Sequence, residues 1–415
     1  MPLGAGQLKL IAVETFDQED FEQRVLQTFE DPMLAQLGER FTRFDQAGER
    51  IGRAEYNFPL VGADWQISGE AAFNRLDRVS ELFELDATTG GEFAQIDFPE
   101  GTGGVREDRY DVALSFSKSL TDRLSLQATG AYEFSTIQQT GSAANSRSFA
   151  RPKGSASLAW SNGAGFDIVL GVERRVGQLS FGDFLARVFL DDDNANAGNN
   201  ELVADQTWEV TAEINKTLGP WGSTTLFLEQ RWIEDRIALV PLGDGTEARG
   251  NLPSARRTEI EWTTTLLLEQ LGIKGAQLDI RLEYEAGEIR DPLTGILRDF
   301  SGGRDREIEL DYRHDLPGGK IAYGARYEFN RNRPDFRLDE IGEESDRPGF
   351  GSVFVEHKDI AGLTVRASVE NILGERDRFS RTVFEGERDA SPVEFFENRS
   401  RRIGPIFRFD VSGNF

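Results

Sequence analysis

Polar and apolar side chains alternate with a period of two along much of this chain, and that rhythm calls for extended strands with two chemically different faces. From Leu124 to Phe134 the even positions are Leu124, Leu126, Ala128, Gly130, Tyr132 and Phe134, against Ser125, Gln127, Thr129, Ala131 and Glu133. Trp208, Val210, Ala212 and Ile214 oppose Glu209, Thr211, Glu213 and Asn215. Ala276, Leu278, Ile280, Leu282 and Tyr284 oppose Gln277, Asp279, Arg281, Glu283 and Glu285. Near the C-terminus, Ile321, Tyr323, Ala325, Tyr327 and Phe329 oppose Lys320, Arg326, Glu328 and Asn330. Less regular versions cover 109–118, 154–160, 166–172, 224–232, 258–268 and 363–369. An amphipathic helix repeats at three and four residues instead.

Two environments satisfy such strands: the dry interior of a soluble sandwich, or hydrocarbon outside and water inside a transmembrane wall. The connections favour the second. Tight turns at Val61–Asp64, Leu120–Asp122, Ser161–Ala164, Leu218–Gly222, Leu271–Gly275, Leu316–Gly319 and Asp359–Gly362 carry the Gly, Pro, Asn and Asp that turn dihedrals need. They alternate with long polar connections, such as that from Asp191 and that from Asn371 to Arg401. Sorting loops by parity is the habit of an outer-membrane barrel. Trp65, Trp160 and Trp221 lie beside tight turns, and Trp208, Trp232 and Trp262 are expected toward long loops, as two interfacial girdles. Strands counted around the turns number about sixteen, even as antiparallel closure requires. No apolar run approaches the ~20 residues of a membrane helix. The expected fold is all-β: a transmembrane antiparallel up-and-down β-barrel in the cell outer membrane, with short periplasmic turns and long extracellular loops. No composition break divides it, so residues 1–415 read as one domain in contact with outer-membrane lipid and lipopolysaccharide.

Composition then removes function classes. With 72 acidic against 47 basic residues and a net charge of −25, the surface repels nucleic acid. Cysteine is absent, so thiol chemistry and disulfides are excluded. His314 and His357 sit near expected turns without partnered motifs, and no Ser-His-Asp set, phosphate loop or HExxH is present. We therefore expect neither an enzyme, a cofactor nor a resident metal. Asp191-Asp192-Asp193-Asn194-Ala195-Asn196 lacks EF-hand spacing and reads as a solvated acidic loop. Leu179–Leu185 reads equally as ligand-contacting or as folding its loop back on itself.

Two sets of candidate site residues follow from parity. Glu209, Glu213, Glu229, Arg231, Glu259, Glu261, Asp279, Arg281, Glu283 and Glu285 fall on the water-facing side and would line a mainly acidic lumen, contacting a plug or favouring cationic solutes. Charge is also simply what water-facing positions carry. The last strand places Phe407, Phe409, Val411 and the terminal Phe415 on one face, against Arg408, Asp410, Ser412 and Asn414.

Three stretches resemble the TonB-dependent receptors of Gram-negative outer membranes. Gly198-Asn199-Asn200-Glu201-Leu202-Val203-Ala204-Asp205-Gln206-Thr207-Trp208-Glu209 is similar to that family's segment leading from an extracellular loop into a strand, with Asn200 for its proline and Ala204-Asp205 for its Pro-Glu. Val369-Glu370-Asn371-Ile372-Leu373-Gly374-Glu375 is similar to its segment atop the penultimate strand, and Ile406–Phe415 to its closing strand. Gln7–Ile11 also looks like a mid-barrel strand. The resemblance implies that Phe407, Phe409, Val411 and Phe415 address the barrel-assembly machinery. It further implies a barrel of twenty-two strands with a plug domain, a TonB box and a signal peptide. About sixteen strands, and none of those N-terminal parts, are visible, so we expect the C-terminal portion of a receptor. Its ligand, a siderophore, oligosaccharide or similar bulky solute, is not specified, and TonB would act only through a missing N-terminal region. The alternatives are a self-contained general porin and a soluble all-β binding protein.

Overall fold

A computed structural model describes residues 1–31, 35–86, 91–98, 101–141, 144–190, 194–243 and 245–413. Sixteen long strands form the wall. They are β1 (Gly6–Gln27), β2 (Leu37–Leu60), β3 (Ala63–Asp86), β4 (Gly103–Thr121), β5 (Leu124–Gly141), β6 (Asn145–Ser161), β7 (Phe166–Val176) and β8 (Gln206–Thr217). β9 (Gly222–Pro241), β10 (Glu247–Leu267), β11 (Ala276–Arg290), β12 (Arg304–Asp315), β13 (Ile321–Asn332), β14 (Phe350–Ile360), β15 (Leu363–Glu370) and β16 (Ile406–Ser412) continue it. Each pairs antiparallel with the next, from Gln7 against Asn57 at one end to Val365 against Val411 at the other. This is the up-and-down order expected.

All seven tight turns lie at one rim. Leu218–Gly222 shows why such turns need glycine: Gly222 has φ +114, and a Cβ there would stand 2.0 Å from the Thr265 carbonyl oxygen. At the opposite rim two connections, Gly141 to Asn145 and Pro241 to Glu247, are short as well. The strands there overrun instead: β1 to β3 have 22 to 24 residues, about twice the 9–11 that cross a bilayer. The stretch from Asn371 to Arg401 is not irregular, since Arg376–Phe384 pairs with both Val393–Arg402 and Glu340–Arg347 above the rim.

Exposure inverts the rule for a soluble sheet. Tyr132, Phe134, Leu170, Val172, Val210, Ile260, Tyr284, Tyr323 and Val355 are exposed, while the charged residues between them are half-buried. Such a surface fits hydrocarbon, because apolar area presented to water is unfavourable. Trp208 and Trp232 stand opposite one another in register on this face. From Thr217 at the turn to Trp208 the strand climbs nine residues, ~30 Å at ~3.3 Å per residue, which a tilt near 45° turns into ~21 Å of height. Trp262 departs from expectation. It pairs with Leu226 and donates to Thr224 Oγ1 at 2.7 Å, which places it with Trp65, Trp160 and Trp221 at the turn rim. The sequence of β10 runs downward into its turn, so counting from the turn would have placed it correctly.

Among the described residues no pairing joins β1 to β16. Residues Met1–Leu3 fold back on the start of β1, and the rest of that edge and the whole outer edge of β16 present unpaired backbone groups.

Candidate functional site in the lumen and mouth

The residues expected on the water-facing side form a cross-strand ionic lattice. Arg231 reaches Glu209 and Glu229, both at 2.7 Å; Arg281 reaches Glu261 and Glu283, both at 3.0 Å. Glu259 takes Arg257 at 2.7 Å, and Glu285 takes both Arg257 and, at 2.9 Å, Arg333. Asp279 accepts from Thr265 at 2.6 Å, and Glu213 from Asn215 at 2.7 Å. The lattice exists because cross-strand neighbours share a face, so one arginine pairs with two acids and offsets one of their two charges. Its charge is therefore partly spent internally, which lowers the cation preference expected of the acidic list alone. Glu307, Glu309 and Glu328 also bring carboxylate oxygens within 4.8 Å of one another. Arg326 stands 3.6 Å from Glu309 and 3.3 Å from Glu328, so this group reads as another patch of the lattice.

Toward the long-loop rim the inward face changes character. Asp235 takes a left-handed φ of +56, and beyond it the buried positions of β10 shift from Ala255 to Leu252 and Ala248. Ile233, Leu252, Ala255 and Ile289 form an apolar cluster there with Phe300, delivered by the β11–β12 connection. A second cluster joins Val105 and Ile137 of the wall to Phe184 and Leu202 of the β7–β8 connection. The segment Leu179–Leu185 thus folds into the mouth, with Phe184 4% exposed. The two connections pack against the inward wall of the mouth rather than standing away from it.

The motif residues fasten these connections. Gly198 packs against the Phe184–Ala186 backbone so closely that a Cβ would meet the Phe184 carbonyl oxygen at 2.6 Å. The Asn199 amide donates to the Arg249 carbonyl at 2.7 Å, and Leu202 is fully buried. The Asp205 carbonyl accepts from Gly177 N–H at 2.8 Å, leaving its carboxylate on the wall of a cleft. Asn371, with φ +54 and 1% exposed, donates to the Ile403 carbonyl at 2.8 Å and accepts from Glu375 N–H at 2.7 Å. Glu370 meets Arg408 at 3.1 Å, and the exposed Leu373 packs over Gly351. Phe407, Phe409 and Val411 line the outward side of β16, 80%, 68% and 52% exposed; Phe415 and the Asp191–Asp193 part of the acidic loop lie outside the described residues.

Sequence reading missed three arginines. Arg257 belongs to the inward parity of β10 and was legible by extending that strand one residue toward the N-terminus. Arg236 lies beyond the face change at Asp235, and Arg333 enters from a connection, so periodicity carries no trace of either. A further lock sits above: Asp291, 2% exposed, accepts from Arg298 Nε and Arg388 Nη2, each at 2.5 Å, and from Thr294 N–H at 2.9 Å. Burial alone would raise this carboxyl, but the Arg298 and Thr294 hydrogen bonds and the Arg388 charge hold it well below the usual carboxylate range.

A one-layer antiparallel wall, apolar outside and ionic inside, with connections packed onto its inward face, has the build of a transmembrane β-barrel. Solved structures place it further. The chain matches "Copper transporter OprC" with a TM-score of 0.65 at 13% identity, over 96% of this chain and 65% of that one. It matches the ferric citrate transporter FecA in the unliganded form at 0.58 and 11%, over 98% and 61%. It matches the pyoverdine receptor FpvA from Pseudomonas aeruginosa PAO1 at 0.62 and 12%, over 97% and 58%. The fold is that of the TonB-dependent outer-membrane receptor barrel, as the three sequence segments implied. The chain spans about three fifths of the length of these structures. No protein-family model and no curated protein matches its sequence.

Proposed function

We propose that this chain is the larger part of an outer-membrane receptor barrel that takes up a bulky solute. The observation that carries the reading is a sixteen-strand wall, of the fold that metal and siderophore transporters use, whose first and last strands keep unpaired edges. Unpaired edges in lipid are untenable, because each lone N–H or C=O there costs several kcal/mol. In this reading further strands outside residues 1–415 complete the wall, and coupling to TonB resides with them. Insertion would rely on the barrel-assembly machinery reading β16.

A self-contained porin is the second reading, since sixteen strands would enclose an aqueous channel. The connections packed into the mouth through Phe184 and Phe300 favour a receptor. Planar-bilayer recording on protein recovered from outer membranes separates the two. The receptor reading expects no stable unitary steps from residues 1–415 and heat-modifiable gel migration once the remaining wall is supplied. Uniform long-lived conductance steps from the chain alone would establish the porin instead.

A further inference from the structure

A cleft of ≈ 370 Å³ opens between the mouth wall and the β11–β12 connection, and it is lined by six arginines: Arg175, Arg231, Arg236, Arg257, Arg304 and Arg333. Only Asp205, Glu283 and Glu285 face them there, an inversion of charge in a chain of net −25. Five of the six are held by acids. Arg175 stands 3.5 Å from Glu209, Arg304 3.2 Å from Glu307, and Arg231, Arg257 and Arg333 sit in the lattice already described. Arg236 differs. Among the described residues it has no ion pair and no hydrogen bond; its guanidinium lies over the Phe300 ring, 5.1 Å from the centroid. The ring itself is pinned in the apolar cluster and packs beside Arg333 as well, 6.0 Å away. Burial, with Arg249 and Arg257 nearby, pushes the Arg236 guanidinium down from its ordinary value despite the charge of Asp205.

A half-buried cation without a counter-ion is costly, and proteins keep one where a ligand supplies the missing charge. Placed over the Phe300 ring, the guanidinium has no acceptor among the described residues, and a guanidinium with free N–H groups engages a planar or tetrahedral oxyanion by two parallel hydrogen bonds. We infer that this cleft binds a small solute through a carboxylate or phosphate group, with Arg236 as its principal contact and Arg231, Arg257 and Arg333 as flanking donors. The inference rests on the receptor reading and gives it a substrate class: an anionic solute, admitted past an acidic surface by one basic recess.

Titration calorimetry of the folded protein in detergent micelles at low salt tests this, with citrate and inorganic phosphate as probes. Saturable binding of at least one probe is expected, weakened at least tenfold by Arg236→Gln, less by Arg236→Lys, and unaffected by Arg50→Gln on the exposed Glu14 pair. An unaltered affinity in folded Arg236→Gln overturns the inference, as does no binding of either probe. Should Arg236→Gln not fold, the wild-type protein decides: citrate binding without binding of its uncharged triethyl ester supports the assignment, and equal binding of both refutes it. Heat-modifiable migration and outer-membrane location are unaffected by these outcomes, so the barrel reading stands or falls separately.

Discussion

Replacing Asp291 with Asn removes one negative charge and almost no volume, and it should release three connections at once. The carboxylate is the shared anion for Arg298 and Arg388, whose side chains are 13% and 8% exposed. Arg388 in turn donates to the Arg337 carbonyl at 2.9 Å, and Leu338 N–H reaches the buried Glu247 at 2.8 Å. Breaking a buried pair by deleting one partner costs about 3–5 kcal/mol. Asn retains an acceptor for Thr294 N–H, so the lower end, about 3 kcal/mol, applies. Since 1.36 kcal/mol is a factor of ten, opening should become about a hundredfold more frequent. Amide hydrogen exchange reads this directly at Leu338, Phe384 and Arg388, whose N–H groups bond to Glu247, Asp339 and Leu338 across the docked connections. Amides of β10 should keep their rates, because the wall is held by its own ladder. Less than a fivefold change at those three amides, or an equal change in β10, refutes the reasoning. The pH dependence has a definite sign. The carboxyl binds its proton less tightly when folded, so its contribution is complete above the ordinary carboxylate pKa of about 3.9 and is lost as pH falls further.

The lattice and the lipid face give contrasting expectations. Arg231→Gln strands the buried Glu229, though Glu209 keeps Arg175, and should cost about 3 kcal/mol; Glu229→Gln with Arg231→Gln should recover part of it, urea unfolding of the two single variants and the double gives the coupling, and strict additivity would count against the lattice. Leu170→Arg, at mid-height on the exposed face, should lower stability in vesicles by about 2–4 kcal/mol, and no loss there would remove that face from hydrocarbon. Gly222→Ala should cost about 1–3 kcal/mol from its φ and the Thr265 carbonyl, and a neutral thermal melt would contradict the turn geometry.

Period-two patterning made the wall legible, because a strand between lipid and water has no freedom in which residue type faces which side. Turn chemistry gave the seven connections at one rim for the same reason: left-handed dihedrals at Gly222 and Gly275 admit few residues. Local pattern failed where a face is set by distant chain. Val105 and Ile137 sit at inward positions that polarity would assign to charge, and Phe184 and Leu202, arriving from far along the sequence, help make them apolar ground. Trp262 was placed at the wrong rim because strand direction was not carried through the turn. Arg236 escaped notice because parity fails at the residue before it, and the hairpin within 371–401 because its partner, Glu340–Arg347, enters from another connection.

That parity failure has a reach of its own. Asp235, with its carbonyl clasped by Asn251 at 2.7 Å, turns the strand over at a single residue, so the same ribbon that shows grease to lipid below presents it to the vestibule above. The height at which the apolar side of this strand passes from outward to inward is thus written into one backbone torsion and not into composition. A β-branched residue there, unable to hold that torsion cheaply, would move the frontier up the strand and drag Arg236 out of the recess.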